Sequence, residues 1–242
     1  MSGRPILNPR RGRANGAAMT DTPSPAPKLA LVTGASRGLG AAMAERLGAA
    51  GWHVVAVART QGGLEELDDR IQSAGGQTTL APMDVTDAGA MQHLCRGIHD
   101  RWGALPLWVH SAVHAPPLAP APMADEKDFA KSVATNVTAF QRLVTYVAPL
   151  LRAAGGGDAV FFDDDRPAKF AGAYLATKAA QRALVEAWRA EATTPDAPRI
   201  HLLTPRPMPT AVRARFHPGE DRTALTSCAS EADRLLAQAH LL

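Results

Sequence analysis

The stretch from Lys28 to Gly40 reads KLALVTGASRGLG, and it contains the pattern on which the fold depends. A short apolar run at residues 29–32 is followed by glycines at positions 34, 38 and 40 and then by an alanine-rich helical pattern. This order predicts a strand, a glycine-rich turn and a helix whose N-terminal N–H groups can hold a phosphate. Gly34 allows the tight turn, Gly38 lets a pyrophosphate approach the backbone, and Gly40 lets the helix pack on the strand. The stretch therefore predicts a dinucleotide site.

Apolar runs alternate with helical patterns from residue 29 to residue 205. The runs predict six strands, at Leu29–Val32, His53–Ala58, Thr78–Pro82, Leu107–Ser111, Asp158–Phe162 and Ile200–Leu203. The intervening patterns predict helices near residues 39–50, 63–74, 87–102, 125–152 and 172–193, with one more at the C-terminus. Such alternation predicts parallel strands joined by helical crossovers. The expected fold class is a single Rossmann-type, doubly wound α/β domain over residues 29–242, with a mostly parallel sheet flanked by helices on both faces.

The composition is that of a globular domain preceded by a basic tail. Of the 242 residues, 46% are hydrophobic and 20% charged, and no apolar stretch approaches the roughly 18 residues that span a membrane. Residues 1–28 are rich in Pro, Gly, Ser and Arg and have no period, which predicts disorder. This tail carries a net charge of +4, which leaves −1 of the total +3 for the domain. The basic pI therefore does not predict a nucleic-acid partner.

The cysteines indicate a reducing compartment. Cys95 and Cys228 are the two cysteines of the chain, and their separation fits neither a metal site nor a disulfide framework. We therefore expect a cytoplasmic location and no metal.

Two arginines occupy the positions that would recognise the adenosine end of a dinucleotide. The second predicted strand ends at Ala58 and is followed by Arg59, where an acid would bind the 2′-hydroxyl of NAD, and Arg37 lies in the glycine turn. Two guanidinium groups can bind a 2′-phosphate, although both could be ordinary surface residues. Their positions predict NADP(H) in preference to NAD(H).

Asp84 and Val85 follow the third predicted strand. An Asp at this strand end can accept a hydrogen bond from an adenine amino group, or it can cap the helix that begins near residues 86–88. The sequence leaves both roles open for Asp84.

Tyr174 and Lys178 lie four residues apart in AYLATKAA, so they share one face of a helix. An ammonium beside a phenol favours the phenolate and lowers the tyrosine pKa. Such a pair can donate a proton to a carbonyl oxygen while a nicotinamide delivers hydride. The pair is common by chance, but here it follows a dinucleotide turn and a fifth predicted strand.

This ordered set of motifs, over roughly residues 29–215, resembles the short-chain dehydrogenase/reductase family. The resemblance implies that Tyr174 is the general acid/base, and that Lys178 holds the nicotinamide ribose and lowers the tyrosine pKa. It implies that Asn136, in TNVTA, anchors a water in a proton relay, and that Thr210 contacts the nicotinamide carboxamide. The alternative for Asn136 is a structural role within a long helix. The implied cofactor-binding residues are Gly34, Ser36, Arg37, Gly38, Leu39, Gly40, Arg59, Asp84, Val85, Ser111, Ala112, Tyr174, Lys178, Pro205 and Thr210.

The chain departs from the family where a serine would hydrogen bond the substrate oxygen. No Ser or Thr occurs between Gly155 and Ala173, and the serine position falls at Asp164, or at Asp163 if the register slips by one. An ionised carboxylate there opposes a developing alkoxide, whereas a protonated one could donate a hydrogen bond. Asp164 is the fourth candidate catalytic residue.

Two other motifs differ as well. The family's Asn-Asn-Ala-Gly appears as His110-Ser111-Ala112-Val113, which puts a branched side chain where the cofactor would approach, and His110 is expected to be structural. Arg206 follows Pro205 where the family has Gly, and the family's glycine-rich last strand is not evident.

Two functions follow from these patterns. The first is an NADP(H)-dependent oxidoreductase that interconverts a small-molecule carbonyl and alcohol, with a substrate loop near residues 205–222. The alternative is a catalytically impaired dinucleotide-binding protein that acts as a sensor or structural partner. A homodimer through the helices near residues 125–152 and 172–193 is expected in either case, with no nucleic-acid or membrane partner.

Overall fold

A computed structural model of the chain describes residues 28–164 and 168–242. Its strands are β1 (Leu29–Thr33), β2 (His53–Ala58), β3 (Gln77–Pro82), β4 (Leu107–His110), β5 (Asp158–Phe162) and β6 (Arg199–Leu203). They form one parallel sheet in the order β3-β2-β1-β4-β5-β6. The doubly wound α/β fold class is therefore confirmed. The predicted tail lies outside the described residues, except for Lys28.

Eight α-helices connect and follow the strands in the described part of the chain. They are α1 (Gly38–Ala49), α2 (Gln61–Ser73), α3 (Ala88–Trp102), α4 (Glu126–Val133), α5 (Phe140–Ala153), α6 (Gly172–Glu191), α7 (Ala211–Phe216) and α8 (Cys228–Gln238). A short 3₁₀-helix covers Ala121–Met123. Among the described residues, no helix combines the length and the apolar character that crossing a bilayer requires.

The sheet is covered on both faces because its strands are apolar on both sides. Along β1, Ala30 and Val32 face a core shared with α1, α2 and α8. Leu29 and Leu31 face the opposite core, shared with α3, α5 and α6. The chain thus has two apolar layers around one sheet, and the crevice at the carboxyl ends of β1 and β4, where the strand order reverses, is the expected ligand site of such a fold.

The helix expected over residues 125–152 is divided in three. Between α4 and α5 the backbone forms a π-helical turn over Ala134–Ala139. Asn136 lies in this turn, fully buried, and its side chain hydrogen bonds to the backbone of His114. Such insertions often occur at functional sites, and a 3.6-residue periodicity does not reveal them.

The chain after β6 forms helices, and the described residues contain no seventh strand. α8 packs on α1 through Leu235 and Leu236, and an ion pair joins Arg46 of α1 to Asp233 of α8. β6 is therefore an edge strand of the sheet.

Candidate active site

The glycine turn between β1 and α1 is packed against the end of β4. At Gly34, φ is +83°, and a Cβ would lie 2.5 Å from the amide nitrogen of Ala112. A Cβ on Gly40 would collide with the Ser111 hydroxyl and the Gly34 carbonyl. Gly38 has φ of +60° and faces the methyl group of Thr210. Two of the three glycines are thus required by packing within the protein itself.

Hydrogen bonds fix this turn between two strands. The amides of Gly34 and Ala35 donate to the Val57 carbonyl of β2, at 2.8 and 3.1 Å. The Ser111 hydroxyl donates to the carbonyls of Thr33 and Gly34. The turn is therefore held by β2 on one side and by the residue after β4 on the other.

The N-terminus of α1 opens onto this turn without a side-chain cap. Its N-cap residue, Arg37, has an extended backbone and makes no capping hydrogen bond. The first N–H groups of a helix need partners and carry partial positive charge. With the left-handed backbone at Gly38, this terminus has the donor set that a phosphate group requires.

The adenosine end of the crevice contains both predicted arginines. Arg37 and Arg59 are exposed and line the cavity together with Ser36. Arg59 Nη1 lies 3.8 Å from Asp84 Oδ2. The Asp84 carboxylate accepts 2.9 Å hydrogen bonds from the amide and hydroxyl of Thr86, whereas Asp87 caps α3. The structure thus gives the capping role to Asp87 and not to Asp84.

Tyr174 and Lys178 lie on the buried face of α6, as their spacing predicts. The Lys178 ammonium donates to the Phe162 carbonyl at 2.7 Å and also to the side chain of Gln181. Burial lowers the pKa of Lys178 to about 8, although the charges of Asp164 and Asp163 oppose this effect. Sequence reasoning missed Gln181, whose signal was its position three residues after Lys178 on one helical face.

The environment of Tyr174 corrects one expectation. Its hydroxyl donates to Asp164 Oδ2 at 3.1 Å, and burial together with the Asp164 charge raises the tyrosine pKa. The expected lowering by Lys178 is therefore wrong for this arrangement, because desolvation and a carboxylate both disfavour the phenolate. The raised pKa keeps the Tyr174 hydroxyl protonated at neutral pH.

The side chain of Asn136 makes three hydrogen bonds within the protein. Its amide oxygen accepts from the His114 amide at 2.8 Å, and its amide nitrogen donates to the His114 carbonyl and to the Thr177 hydroxyl at 2.9 Å each. The side chain thereby ties the segment after β4 to α6. This contact set is that of a structural residue, with one lone pair of the amide oxygen left for a water.

His110 is buried at the end of β4. Its Nδ1 lies 2.8 Å from the Thr33 hydroxyl, and its ring packs near Phe140 and Phe161. Burial, with the Lys178 charge as a second cause, lowers the pKa of His110 to about 3. The ring is thus neutral and structural. Val113, three residues later, lines the cavity.

The segment after β6 closes the other side of the cavity. The Thr210 hydroxyl caps α7 by accepting from the Arg213 amide at 3.2 Å. The Arg206 amide donates to the fully buried Glu231, which holds the Pro205–Arg206 stretch against α8. The ring of Phe216 lies 4.8 Å from that of Tyr174. The sequence placed Phe216 in the predicted substrate loop and Glu231 in the predicted C-terminal helix, but it gave neither residue a role at the site.

One cavity of about 510 Å³ joins these parts. It runs from the glycine turn and Arg59 to Tyr174, Lys178 and Phe216. The predicted residues Leu39, Val85, Ser111, Ala112, Pro205 and Thr210 also line it. Asp163 and Asp164 border it, whereas Asp165 lies outside the described residues, which hold no cluster of three or more acidic, His or Cys side chains suited to a metal.

The chain belongs to the short-chain dehydrogenase/reductase family, whose short chain dehydrogenase model matches residues 28–221. It is 49% identical over 71 residues to a fatty acyl-CoA reductase from Acinetobacter baylyi, a match that covers 29% of this chain and 24% of that protein. The next two curated relatives are matched over less than half of their lengths.

Solved structures show the same architecture. A protein from Pseudomonas syringae superposes with a TM-score of 0.80 at 28% identity, covering 84% of this chain and 85% of that one. An alcohol dehydrogenase from the archaeon Thermococcus sibiricus, solved with 5-hydroxy-NADP, gives a TM-score of 0.77 at 25% identity, covering 89% and 91%. The family is one of oxidoreductases, so the chain is a short-chain dehydrogenase/reductase.

Proposed function

We propose that the protein is an NADP(H)-dependent oxidoreductase that interconverts a small-molecule carbonyl and an alcohol. The observation that carries this proposal is the continuous cavity between the glycine turn and the Tyr174/Lys178 pair. A dinucleotide is long, so its two ends need a phosphate site and a reaction site in one crevice. This chain has a candidate for each, about 140 residues apart in sequence.

The residues of the crevice fit such a cofactor. The uncapped terminus of α1 and the left-handed Gly38 would hold the pyrophosphate. Arg37 and Arg59 would bind the 2′-phosphate, in keeping with the NADP-type ligand of the Thermococcus sibiricus structure. Lys178 and Thr210 would face the nicotinamide end, with the Thr210 hydroxyl engaged at α7.

When bound, a reduced nicotinamide supplies hydride to a substrate carbon. Tyr174 would then donate its proton to the carbonyl oxygen, and its raised pKa makes the return of that proton to Tyr174 favourable. Lys178 provides positive charge beside the forming alkoxide. Asn136 would position the segment around His114 and could hold a relay water with its remaining lone pair.

Carbonyl reduction is expected to be slow. A family serine would donate a hydrogen bond to the substrate oxygen, whereas Asp164 here accepts one from Tyr174. Loss of one such donor typically costs about 3 kcal/mol of transition-state stabilisation. The same observation favours the second candidate function, a dinucleotide-binding protein with impaired catalysis that acts as a sensor or structural partner.

The test is a fluorescence titration of the protein with NADPH and with NADH. We expect NADPH to bind at least about tenfold more tightly, because two guanidinium groups meet the 2′-phosphate. Arg37→Ala and Arg59→Ala should each weaken NADPH binding and leave NADH binding little changed. Arg96→Ala, an exposed arginine of α3 outside the cavity, is the matched control.

Two results would contradict the proposal. Equal affinity for NADPH and NADH would remove the NADP preference, and absence of binding by either would remove the dinucleotide site. If NADPH binds but no carbonyl compound is turned over, the impaired-catalysis candidate replaces the oxidoreductase.

Assembly and location are parts of the same proposal. The exposed Phe129 of α4 and Leu184 of α6 lie on the helices through which a homodimer would form. A cytoplasmic location would suit Cys95, whose thiol pKa burial raises to about 12. The segment of residues 205–222 would serve as the substrate loop.

A further inference from the structure

The position of Asp164 decides which reacting group the cavity favours. Its carboxylate accepts the Tyr174 hydroxyl at 3.1 Å, and both residues line the cavity. A substrate atom that hydrogen bonds to Tyr174 must therefore lie within reach of the Asp164 carboxylate. Any charge on that atom meets a negative neighbour.

The cations around Asp164 already have partners. Arg182 pairs with Asp163 at 3.2 Å, and Arg213 is held by Glu220 at 2.7 Å. Lys178 donates to the Phe162 carbonyl and to Gln181. Within residues 28–164 and 168–242, no cation lies within ion-pair distance of the Asp164 carboxylate. Lys178 and Arg213 act on the charge of Asp164 through space, without an ion pair.

The aromatic wall of the cavity favours the same kind of ligand. The rings of Tyr174 and Phe216 lie 4.8 Å apart and are tilted by 58°. The π-face of an aromatic ring attracts a cation, more strongly when water is excluded. The half-buried Phe216 ring and the half-buried Asp164 carboxylate, which both line the cavity, suit a cationic nitrogen better than an oxyanion.

We propose that this cavity accepts iminium cations of the type R₂C=NHR⁺ for reduction to amines, with Asp164 as the hydrogen-bond and ion-pair partner of the nitrogen. This additional activity rests on the proposed function, since it uses the same reduced nicotinamide cofactor. Asp164 acts on binding and on protonation: it keeps the nitrogen in the protonated form, and only this form accepts hydride readily.

The reaction balances without a proton from the protein. The hydride brings two electrons, which form the new C–H bond, and the nicotinamide is oxidised by two electrons. The C=N π pair becomes the lone pair of the nitrogen. The neutral amine then takes a proton from solvent and leaves as an ammonium ion. Tyr174, whose pKa is raised, orients Asp164 and keeps its own proton.

The first experiment measures binding of the product. Calorimetry with NADP⁺ present compares 1,2,3,4-tetrahydroisoquinoline, a cation at neutral pH, with the uncharged tetralin. We expect the amine to bind and Asp164→Asn to weaken it at least about tenfold, as expected for a charged hydrogen bond. Asp100→Asn removes the same charge from an exposed site on α3 and should leave the affinity unchanged. Thermal unfolding of each variant verifies that it is folded.

The second experiment measures turnover with NADPH. The protein should reduce 3,4-dihydroisoquinoline faster than 1-tetralone, and Asp164→Ser, which introduces a neutral donor, should reverse this preference. The inference is overturned if the amine does not bind, if Asp164→Asn leaves amine binding unchanged, or if 1-tetralone is the better substrate. In these cases NADPH still binds and the proposed function stands. Failure to bind NADPH would overturn both.

Discussion

The two ends of the cavity differ in what defines them: backbone geometry at one end and side chains at the other. At the end that we propose for the cofactor phosphates (the phosphate end), the turn after β1 is defined by its backbone, with positive φ at Gly34 and Gly38 and with carbonyls and amides that pair with β2 and Ser111. At the end that we propose for the substrate (the substrate end), side chains define the site: Tyr174 and Lys178 are buried, Asp164 is half-buried, and the three lie in mutual contact or electrostatic reach. A turn defined by backbone geometry accepts few residue types at its key positions. A site defined by side chains can change its chemistry through a single substitution. The two ends should therefore respond differently to single substitutions.

The largest expected effect is at the substrate end, for Tyr174→Phe. Turnover of a carbonyl substrate should fall by about 100-fold or more, because a positioned general acid contributes factors of that size. NADPH affinity should change little, which separates chemistry from cofactor binding. Tyr146→Phe alters the other tyrosine of the chain, half-buried on α5, and should leave turnover unchanged.

Steady-state rates with the best carbonyl substrate, beside an NADPH titration, provide the measurement. Unchanged turnover in Tyr174→Phe would show that Tyr174 is not the acid. Tyr174→Phe should lower the rate of iminium reduction less than the rate of carbonyl reduction, because iminium reduction takes no proton from Tyr174.

The phosphate end is tested by Gly34→Ala. A Cβ there would require a left-handed backbone and would lie 2.5 Å from the Ala112 amide nitrogen. Strain and overpacking together should lower the free energy of unfolding by about 3 kcal/mol. Gly51→Ala is the control, since φ is +82° but nothing lies within 4 Å. It should cost about 1 kcal/mol.

Urea unfolding of both variants measures this difference. Equal decreases in the free energy of unfolding for Gly34→Ala and Gly51→Ala would mean that the segment around Ala112 moves aside without a measurable loss of stability. The phosphate end would then be less rigid than the comparison between the two ends requires.

Sequence reasoning succeeded where a residue type has one geometric use. Gly34 predicted the tight turn, Gly40 predicted close packing of the helix, and the Tyr174–Lys178 spacing predicted one helical face. It failed where the outcome depends on several segments meeting. The upward pKa shift of Tyr174 depends on burial and on the nearby Asp164, and the hydrogen bonds of Asn136, in the π-helical turn, depend on the backbone of His114. Phe216 lines the cavity from α7, and Glu231 of α8 holds the Arg206 amide beside it. No local pattern specifies either contact.

His110 lies between the two ends of the cavity. Its ring contacts Thr33 on β1, and the charge of Lys178 contributes to lowering its pKa. Its pKa is about 3 in the folded protein, against 6.5 as its ordinary value. Above pH 6.5 the ring is neutral in both states and has no effect on pH dependence. As the pH falls from 6.5 to 3, only the unfolded state gains the proton, so the folded state loses stability. At pH 5 this loss amounts to about 2 kcal/mol.

His110→Asn removes the titrating group and introduces the residue that the family pattern has at this position. Unfolding free energies measured in urea at pH 7 and pH 5 should differ less in this variant than in the unaltered protein, by about 2 kcal/mol. His240→Asn, at an exposed position after α8, is the control and should retain the full pH dependence. If His110→Asn also retains the full pH dependence of stability, His110 does not contribute to it, and its ring is protonated in the folded protein at pH 5. A charge would then lie beside Lys178 between the two ends, and the neutral state assigned to the buried His110 ring would be excluded.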